Sequence, residues 1–486
     1  MAERFDLRRD MKNKKISVLL TIAVIALSCF AFVNGVVQSQ TQAPPTYYGQ
    51  VEAILAANCL GCHIAGGIAP FSLENPETVV RLAHGIKYAV ENNIMPPWLP
   101  GPQSPAMLDE RKLTSEDKAT LLAWVAAGTP LGDVSQRPAK SQPTEQAKPQ
   151  PDRIMAMDTA YSPNKSLLDD YRCFLLDPQI KQDTNIKGYD ILPGAGKLVH
   201  HVVLFLVNPD LAKAAEEQDK AEAGPGWTCF GGPGVGSSTA IPGVLGFWAP
   251  GTSGTTFPKH TGRLLRAGTK IVMQMHYNTI NMTTPVQDIT KTALYYVPEE
   301  TSVDILRGTA LLAPVEVRCP GPYPTDKSNP CHRDHAMQHS MMKDVADGAH
   351  LLCGTRIDDY LSNDIGNGAA QETHCDATVR ATGVAMGVVS HMHIRGIATK
   401  VTLNPDTPDT KILLDIPHWD FNWQGEFWYK EPIPVKQGDK LRISCTYDNS
   451  GPIPGPDKKP LEPRYLTWGE GTTDEMCLAR VMFIYK

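Results

Sequence analysis

Beyond residue 152 the apolar residues come in short runs rich in β-branched and aromatic types, each cut off by Gly/Pro turns. The clearest runs are Leu198 to Val207, Lys270 to Tyr277, Val379 to Val389, Lys411 to Ile416, Lys440 to Tyr447 and Leu478 to Tyr485. Such regular spacing predicts β-sandwiches rather than an alternating α/β architecture. At 486 residues, 42% of them hydrophobic and 20% charged, the chain is long enough for about three domains.

The N-terminal third reads differently. Cys59-Leu60-Gly61-Cys62-His63 is a C-x-x-C-H, which after an export signal means covalent attachment of a c-type haem, with Cys59 and Cys62 on the vinyl groups and His63 on iron. A structural zinc pair would need further ligands close by, and the next cysteine is Cys173. Met95, in Asn93-Ile94-Met95-Pro96-Pro97-Trp98, is the candidate second axial ligand, and His84 is its rival. Helices are predicted from Pro76 to Glu91 and from Thr114, as cap, to a stop at Gly128.

The leader has a basic stretch from Arg8 to Lys15, an apolar run from Ile16 to Val33 and a small-residue cleavage site at Val33-Asn34-Gly35. It reads as an export signal, with an uncleaved single-span anchor as the alternative; Ala26-Leu27-Ser28-Cys29 is a poor lipoprotein match. The protein is therefore expected to be periplasmic or secreted, meeting a membrane only through that segment. The formal charge of −6 includes a leader with six Lys/Arg and three Asp/Glu, so the remainder is more acidic still, which argues against nucleic acid as a partner. Residues 134 to 151, VSQRPAKSQPTEQAKPQP, have almost nothing to bury and read as a linker.

Setting aside Cys29 and the two haem cysteines leaves Cys173, Cys229, Cys319, Cys331, Cys353, Cys375, Cys445 and Cys477, which in an exported protein suggest four bridges. Cys445 and Cys477 lie near two C-terminal strands, and Cys173 with Cys229 would bracket the strand from Leu198. The pairing of the middle four stays open.

The histidines carry the chemistry. His200 and His201 begin the run Val-His-His-Val-Val-Leu-Phe, and His276 ends Ile271-Val272-Met273-Gln274-Met275-His276-Tyr277. Adjacent strand residues point to opposite faces, so His200 and His201 can share a metal only with a local twist or at a strand end. Three imidazoles suit copper and also zinc. In Ser390-His391-Met392-His393, the i and i+2 imidazoles share one face of a strand, and Met476 adjoins Cys477. A thioether selects Cu(I).

Taken in order, the strings HHVVLF, QMHYN, SHMHIRG, VKQGDKLRISCTYDNS and GEGTTDEMCLARVMFIYK resemble the copper type II, ascorbate-dependent monooxygenases, the family of dopamine β-monooxygenase and the peptidylglycine-amidating enzymes. The resemblance implies two jelly-roll-like sandwiches facing one another across a wet cleft, each holding one copper. His200, His201 and His276 would hold an electron-storing copper. His391, His393 and Met476 would hold the copper that meets O2. Family chemistry hydroxylates an activated C–H bond with electrons from ascorbate, and a tethered haem c would be a built-in donor.

The expected fold class is thus a small all-α cytochrome c domain followed by two all-β jelly-roll-like sandwich domains. Leader, haem domain, linker and the two copper domains would occupy 1–35, 44–133, 134–151, 152–300 and 301–486, with an insertion at 319–375. The expected partners are a small or medium organic substrate, O2, and an external donor that is ascorbate-like or a redox protein. The amidating branch carries an arginine where this chain has Val389, so a glycine-extended peptide is a poor fit. Trp419, Phe421, Trp423, Phe427, Trp428 and Tyr429 could line a substrate cleft, though a sandwich core is the simpler expectation. In the insertion, His332, His335 and His339 would share a helical face, as a further metal site or as part of a disulfide-pinned loop. The alternative to an enzyme is a non-catalytic haem and copper electron carrier or copper-handling protein.

Overall fold

Helices come first and strands begin at Arg153 in the computed structural model, which describes residues 43–137 and 150–486 apart from 66, 68, 231, 237–242, 251, 253, 281, 341, 362–369 and 456–458. The expected leader and most of the expected linker lie outside these residues. No helix among the described residues is long and apolar enough to cross a membrane.

The described residues between 46 and 137 contain a π-helical turn at Tyr47–Val51, helices Glu52–Asn58, Pro76–Glu91 and Ser115–Ala126, a 3-10 turn at Val134–Gln136, and no strand. Local chemistry sets their ends. The Asn75 side chain accepts from the backbone N–H of Glu77 and Thr78, with Pro76 at the first helical position. The Thr114 hydroxyl accepts from Asp117 N, and Gly128 follows the last helix at φ +82. Val51, Leu55, Val79, Leu121 and Trp124 close a small core of their own. The stretch read as a linker starts as part of this domain: Arg137 pairs with Glu52 at 2.7 Å and lies over the Tyr48 ring.

The following half is two facing sheets. One runs Arg153–Ala156, Lys291–Tyr296, Thr184–Leu192, Thr261–Leu265, Asp304–Ile305, with Thr255–Thr256 also paired to Thr184–Leu192. The other runs Trp227–Thr228, Asp169–Leu176, Lys270–Asn278, Val199–Val207, Gly243–Trp248. The last half repeats the plan with Arg307–Leu312, Leu478–Tyr485, Gly383–His391, Phe427–Val435 against Gln371–Thr378, Lys440–Tyr447, Gly396–Leu403, Lys411–Ile416. The run read as Val379 to Val389 becomes a strand only at Gly383. Val379 belongs to the preceding turn, where its N–H donates to Asp439 O and its carbonyl accepts from Gly438 N.

Strand alternation joins the two sandwiches. In Leu478–Tyr485, Ala479, Val481 and Phe483 enter the C-terminal core, while Met482 and Ile484 point the other way and pack with the N-terminal core. Met386 and Trp428 join them there. The wet cleft implied by the resemblance is therefore replaced, along this seam, by apolar contact that removes water from both sheets and draws the halves together.

Four disulfides form: Cys173–Cys229, Cys319–Cys331, Cys353–Cys375 and Cys445–Cys477. The first and last are the pairs expected from strand neighbours. Cys445–Cys477 closes a loop with a sequence separation of 32. Replacing both cysteines by alanine should cost about 3–4 kcal/mol through the freer unfolded chain, read as a lower denaturation midpoint. An unchanged midpoint would contradict this.

Candidate metal centres

The first centre depends on one irregularity. In the pairing of Val199–Val207 with Lys270–Asn278, Val199 faces Tyr277 and His201 faces His276, and the register slips between them at His200. The extra residue is a β-bulge, the local twist that two neighbouring imidazoles require. The rings of His200 and His201 lie 4.2 Å apart, His200 and His276 5.0 Å, His201 and His276 4.7 Å. Each histidine offers a ring nitrogen within 4.8 Å of the others.

The donor set fits a metal. Nδ1 of His200 and Nε2 of His201 are buried without a hydrogen-bond partner, and Nδ1 of His276 faces Nδ1 of His201 at 3.3 Å. Burial pushes His200 down to about 3 and His201 well below its usual range, so both stay neutral and ready to ligate. His276 Nε2 donates to Asp169 Oδ1 at 2.8 Å, which puts the Nδ1 lone pair on the side of the other two rings. Tyr171 stacks on His276 at 4.3 Å.

Asp169 also reaches the other sandwich, accepting from Thr472 N at 3.0 Å and Thr472 Oγ1 at 2.7 Å. Burial opposes its ionisation, but the bonds from His276 and Thr472 prevail and hold its carboxyl below the usual range. Asp169→Asn should loosen metal at the three histidines by about 10–100-fold, measured by competition with a chelator. Unchanged affinity would exclude this orienting role.

The second centre gathers at the end of strand Gly383–His391. The strand stops at His391, so His393 sits in the following turn rather than on the strand itself. Alternation persists all the same: Met392 is fully buried in the core, while the rings of His391 and His393 lie 5.0 Å apart. Gln424 Nε2 donates to Phe421 O at 2.8 Å, so its Oε1 accepts from His391 Nδ1 at 2.5 Å. His393 Nδ1 donates to Asp474 O at 3.2 Å. Both tautomers are thereby fixed with Nε2 left for a ligand. Burial lowers His391 to about 4 and His393 well below its usual range.

Met476 is 8% exposed and lines the same cavity as His391 and His393, so its thioether is not lost in a remote core. Its loop is pinned by Tyr447 Oη donating to Met476 O, by the adjoining Cys477 disulfide and by Glu475. The Glu475 carboxylate accepts from the backbone N–H of His393 (3.0 Å), Arg395 (2.6 Å), Gly396 (3.1 Å) and Met476 (3.3 Å). Burial pushes it up to about 8 in spite of those donors.

The two centres adjoin. The rings of His201 and His391 are 5.8 Å apart, and Phe421 lies 4.8 Å from His200, 5.7 Å from His201 and 5.6 Å from His393. A cavity of about 690 Å³ opens beside them, lined by His201, Phe247, Val389, His391, His393 and Met476 among others. None of Trp419, Phe421, Trp423, Phe427, Trp428 and Tyr429 lines it. Trp419, Phe427 and Tyr429 are C-terminal core, Trp428 packs in the seam, and Phe421 separates imidazoles.

In the helical domain, Cys59 and Cys62 are free, whereas the other eight described cysteines are paired. His63 Nδ1 donates to Phe71 O at 3.1 Å and so leaves Nε2 for a metal. Unpaired thiols beside an oriented imidazole fit a covalently held haem. Met95 lines a second cavity, about 300 Å³, with Trp98 and Arg111, and His84 is exposed on its helix.

Among the described residues the insertion holds no three-histidine cluster. His332 caps helix Arg333–His339, its Nδ1 accepting from Asp334 N, and its ring lies tilted against Tyr323 at 4.9 Å; the rings of His335 and His339 lie 4.5 Å apart. His350 donates from Nε2 to the buried Glu316, which also pairs with Arg333. Asp169, Gln424 and Glu475 were not marked by sequence reasoning as part of either centre. Glu475 alone stood inside a quoted string.

Residues 364–486 match the family model described as copper type II ascorbate-dependent monooxygenase, C-terminal domain. DBH-like monooxygenase protein 1 of Gallus gallus is 23% identical over 293 residues, 59% of this chain and 39% of that protein, so the chain spans well under half of that relative. Among solved structures, an allantoicase (12% identity, TM-score 0.16, 64% of this chain and 81% of that one) is too distant to bear on the fold. The same holds for a fucolectin from Morone saxatilis serum (8%, TM-score 0.16, 65% and 86%).

Proposed function

We propose that this chain is a copper-dependent monooxygenase that hydroxylates an activated C–H bond of a small or medium organic molecule, and that its helical domain carries a haem c. One observation carries the reading: His201, His391, His393 and Met476 line one cavity, His200 and His276 cluster with His201 beside it, and Nδ1 of His200 and Nε2 of His201 are buried without a protein partner. His200, His201 and His276 are assigned to one copper, and His391, His393 and Met476 to the other. Copper, when bound, supplies one-electron redox chemistry and O2 activation, the softer sulfur-containing set favouring Cu(I).

The overall reaction is R–H + O2 + 2e⁻ + 2H⁺ → R–OH + H2O. The electrons are assigned to an external one-electron donor of the ascorbate or redox-protein class, with the haem held by Cys59, Cys62, His63 and Met95 as intermediary. The residues around the cavity bind and orient. Neutral imidazoles hold metal, Gln424 and the Asp474 carbonyl fix the His391 and His393 rings, and Phe247 and Val389 offer the substrate an apolar wall that excludes water. Four disulfides favour an oxidising compartment, periplasmic or extracellular.

The test is metal and haem analysis followed by 18O2 turnover over a panel of apolar and aromatic substrates with ascorbate. Two coppers, one haem and 18O-labelled alcohol are expected. A fully loaded protein that labels no substrate would instead favour an electron carrier or copper-handling protein.

A further inference from the structure

Beyond Met95 the chain leaves the helical domain as a strap lying on the C-terminal sandwich. Trp98 meets the Phe427 ring edge-on at 5.4 Å. Gly101 N donates to Asp415 O at 2.7 Å, Ser104 Oγ donates to the same oxygen at 3.0 Å, and Asp415 N donates back to Ser104 Oγ at 2.9 Å. Further on, Leu108 N donates to Trp428 O at 2.6 Å, Lys430 N donates to Ala106 O at 2.9 Å, and Met107 pairs with Tyr429. Met107 is 1% exposed, within the C-terminal core. A Cβ on Gly101 would come within 2.7 Å of Pro417 Cδ, so the close approach at this point depends on glycine.

These contacts grip both ends of one loop, which leaves strand Lys411–Ile416 and enters strand Phe427–Val435. The middle of the loop touches both candidate centres. Trp419 Nε1 donates to His393 O at 3.1 Å, Phe421 lies against His200, His201 and His393, and Gln424 holds His391. The helical domain is therefore built onto the segment that orients the ligands. It is not hung from the chain as a loose carrier.

The geometry points to the strap and this loop as a fixed electron route into the centre at His391 and His393, an inference that rests on the functional reading above. Trp98 closely follows Met95 in sequence and touches Phe427; from Phe427 the backbone leads through Glu426 and Gly425 to Gln424, which contacts His391. One ring contact, a short covalent stretch and one hydrogen bond connect the domains. A single electron moves: iron held through His63 goes from ferrous to ferric, and copper at His391 and His393 goes from Cu(II) to Cu(I). Both Nδ1 protons stay on His391 and His393, donated to Gln424 Oε1 and Asp474 O. A donor of the ascorbate or redox-protein class reduces the iron again.

The test uses the full chain loaded with haem and copper. Haem is reduced by a flash-excited flavin and followed at its visible band, with freeze-quenched Cu(II) resonance as the second readout. Trp98→Leu should slow haem-to-copper transfer about tenfold, as expected on removing one link from a packed network. Direct reduction of copper by ascorbate should not change. In the unaltered protein the transfer rate should not depend on solvent viscosity, since no docking motion precedes it; this arm needs no variant. An unchanged rate in Trp98→Leu, a rate that falls with viscosity, or first arrival at the His200, His201 and His276 centre would overturn the route alone. A chain that takes up no haem, or leaves His391 without copper, overturns the functional reading and the route with it.

Discussion

Met476→Leu should leave the chain folded and abolish hydroxylation. The exchange nearly conserves volume at a buried site and costs less than about 1.5 kcal/mol. Met476 is 8% exposed, with its backbone pinned by Tyr447, Glu475 and the Cys477 disulfide, so the loop has little reason to move. What disappears is the one soft sulfur donor beside His391 and His393, and with it the preference for Cu(I). If the metal supplies several kcal/mol to the transition state, turnover should fall about a thousandfold. Copper should still bind His200, His201 and His276. The measurements are product formation with ascorbate and Cu(I) affinity by competition with a chromophoric chelator. Turnover within a few-fold of the unaltered protein would remove Met476 from the site.

Glu475→Ala is expected to be the most destabilising single change near either centre. Glu475 is fully buried, and its carboxylate is the common acceptor for the N–H groups of His393, Arg395, Gly396 and Met476. Truncation strands four buried donors, each of which costs about 1–3 kcal/mol when left unmet. Water entering the vacated space recovers part of this, so the net loss should be about 3–5 kcal/mol. The loss should appear as an earlier melting step of the C-terminal sandwich, with copper released from His391 and His393 before it leaves the other centre. Glu475→Gln, which keeps the shape but turns an amide N–H2 toward N–H donors, should fall between. A variant that melts with the unaltered protein would show the cluster to be unimportant.

Much of this was legible in sequence because the signals are local. Thr114 and Gly128 bracket their helix through a side-chain cap and a positive φ, which are properties of single residues. The strands Lys411–Ile416, Lys440–Tyr447 and Leu478–Tyr485 fall on the runs that alternation and turn residues mark out. Two disulfides followed from strand neighbours, and of the two arrangements open to His200 and His201, a local twist or a strand end, the bulge supplies the first. The middle disulfides were not legible, because Cys319, Cys331, Cys353 and Cys375 lie in a region whose path no periodicity sets.

The sequence alone determined which atoms are available: five imidazoles and a thioether in order along two sandwiches, two thiols and a histidine in a helical domain, and the caps and turns that shape each piece. Only the tertiary structure decided what those atoms lean on. Asp169 serves His276 and Thr472 at once, Gln424 turns His391, and Phe421 lies among three imidazoles. The reason is physical. Propensity, capping and alternation act over a few residues, whereas the meeting of Asp169 with Thr472, or of Trp98 with Phe427, is set by which apolar faces bury against each other, and that is a property of the whole packed chain.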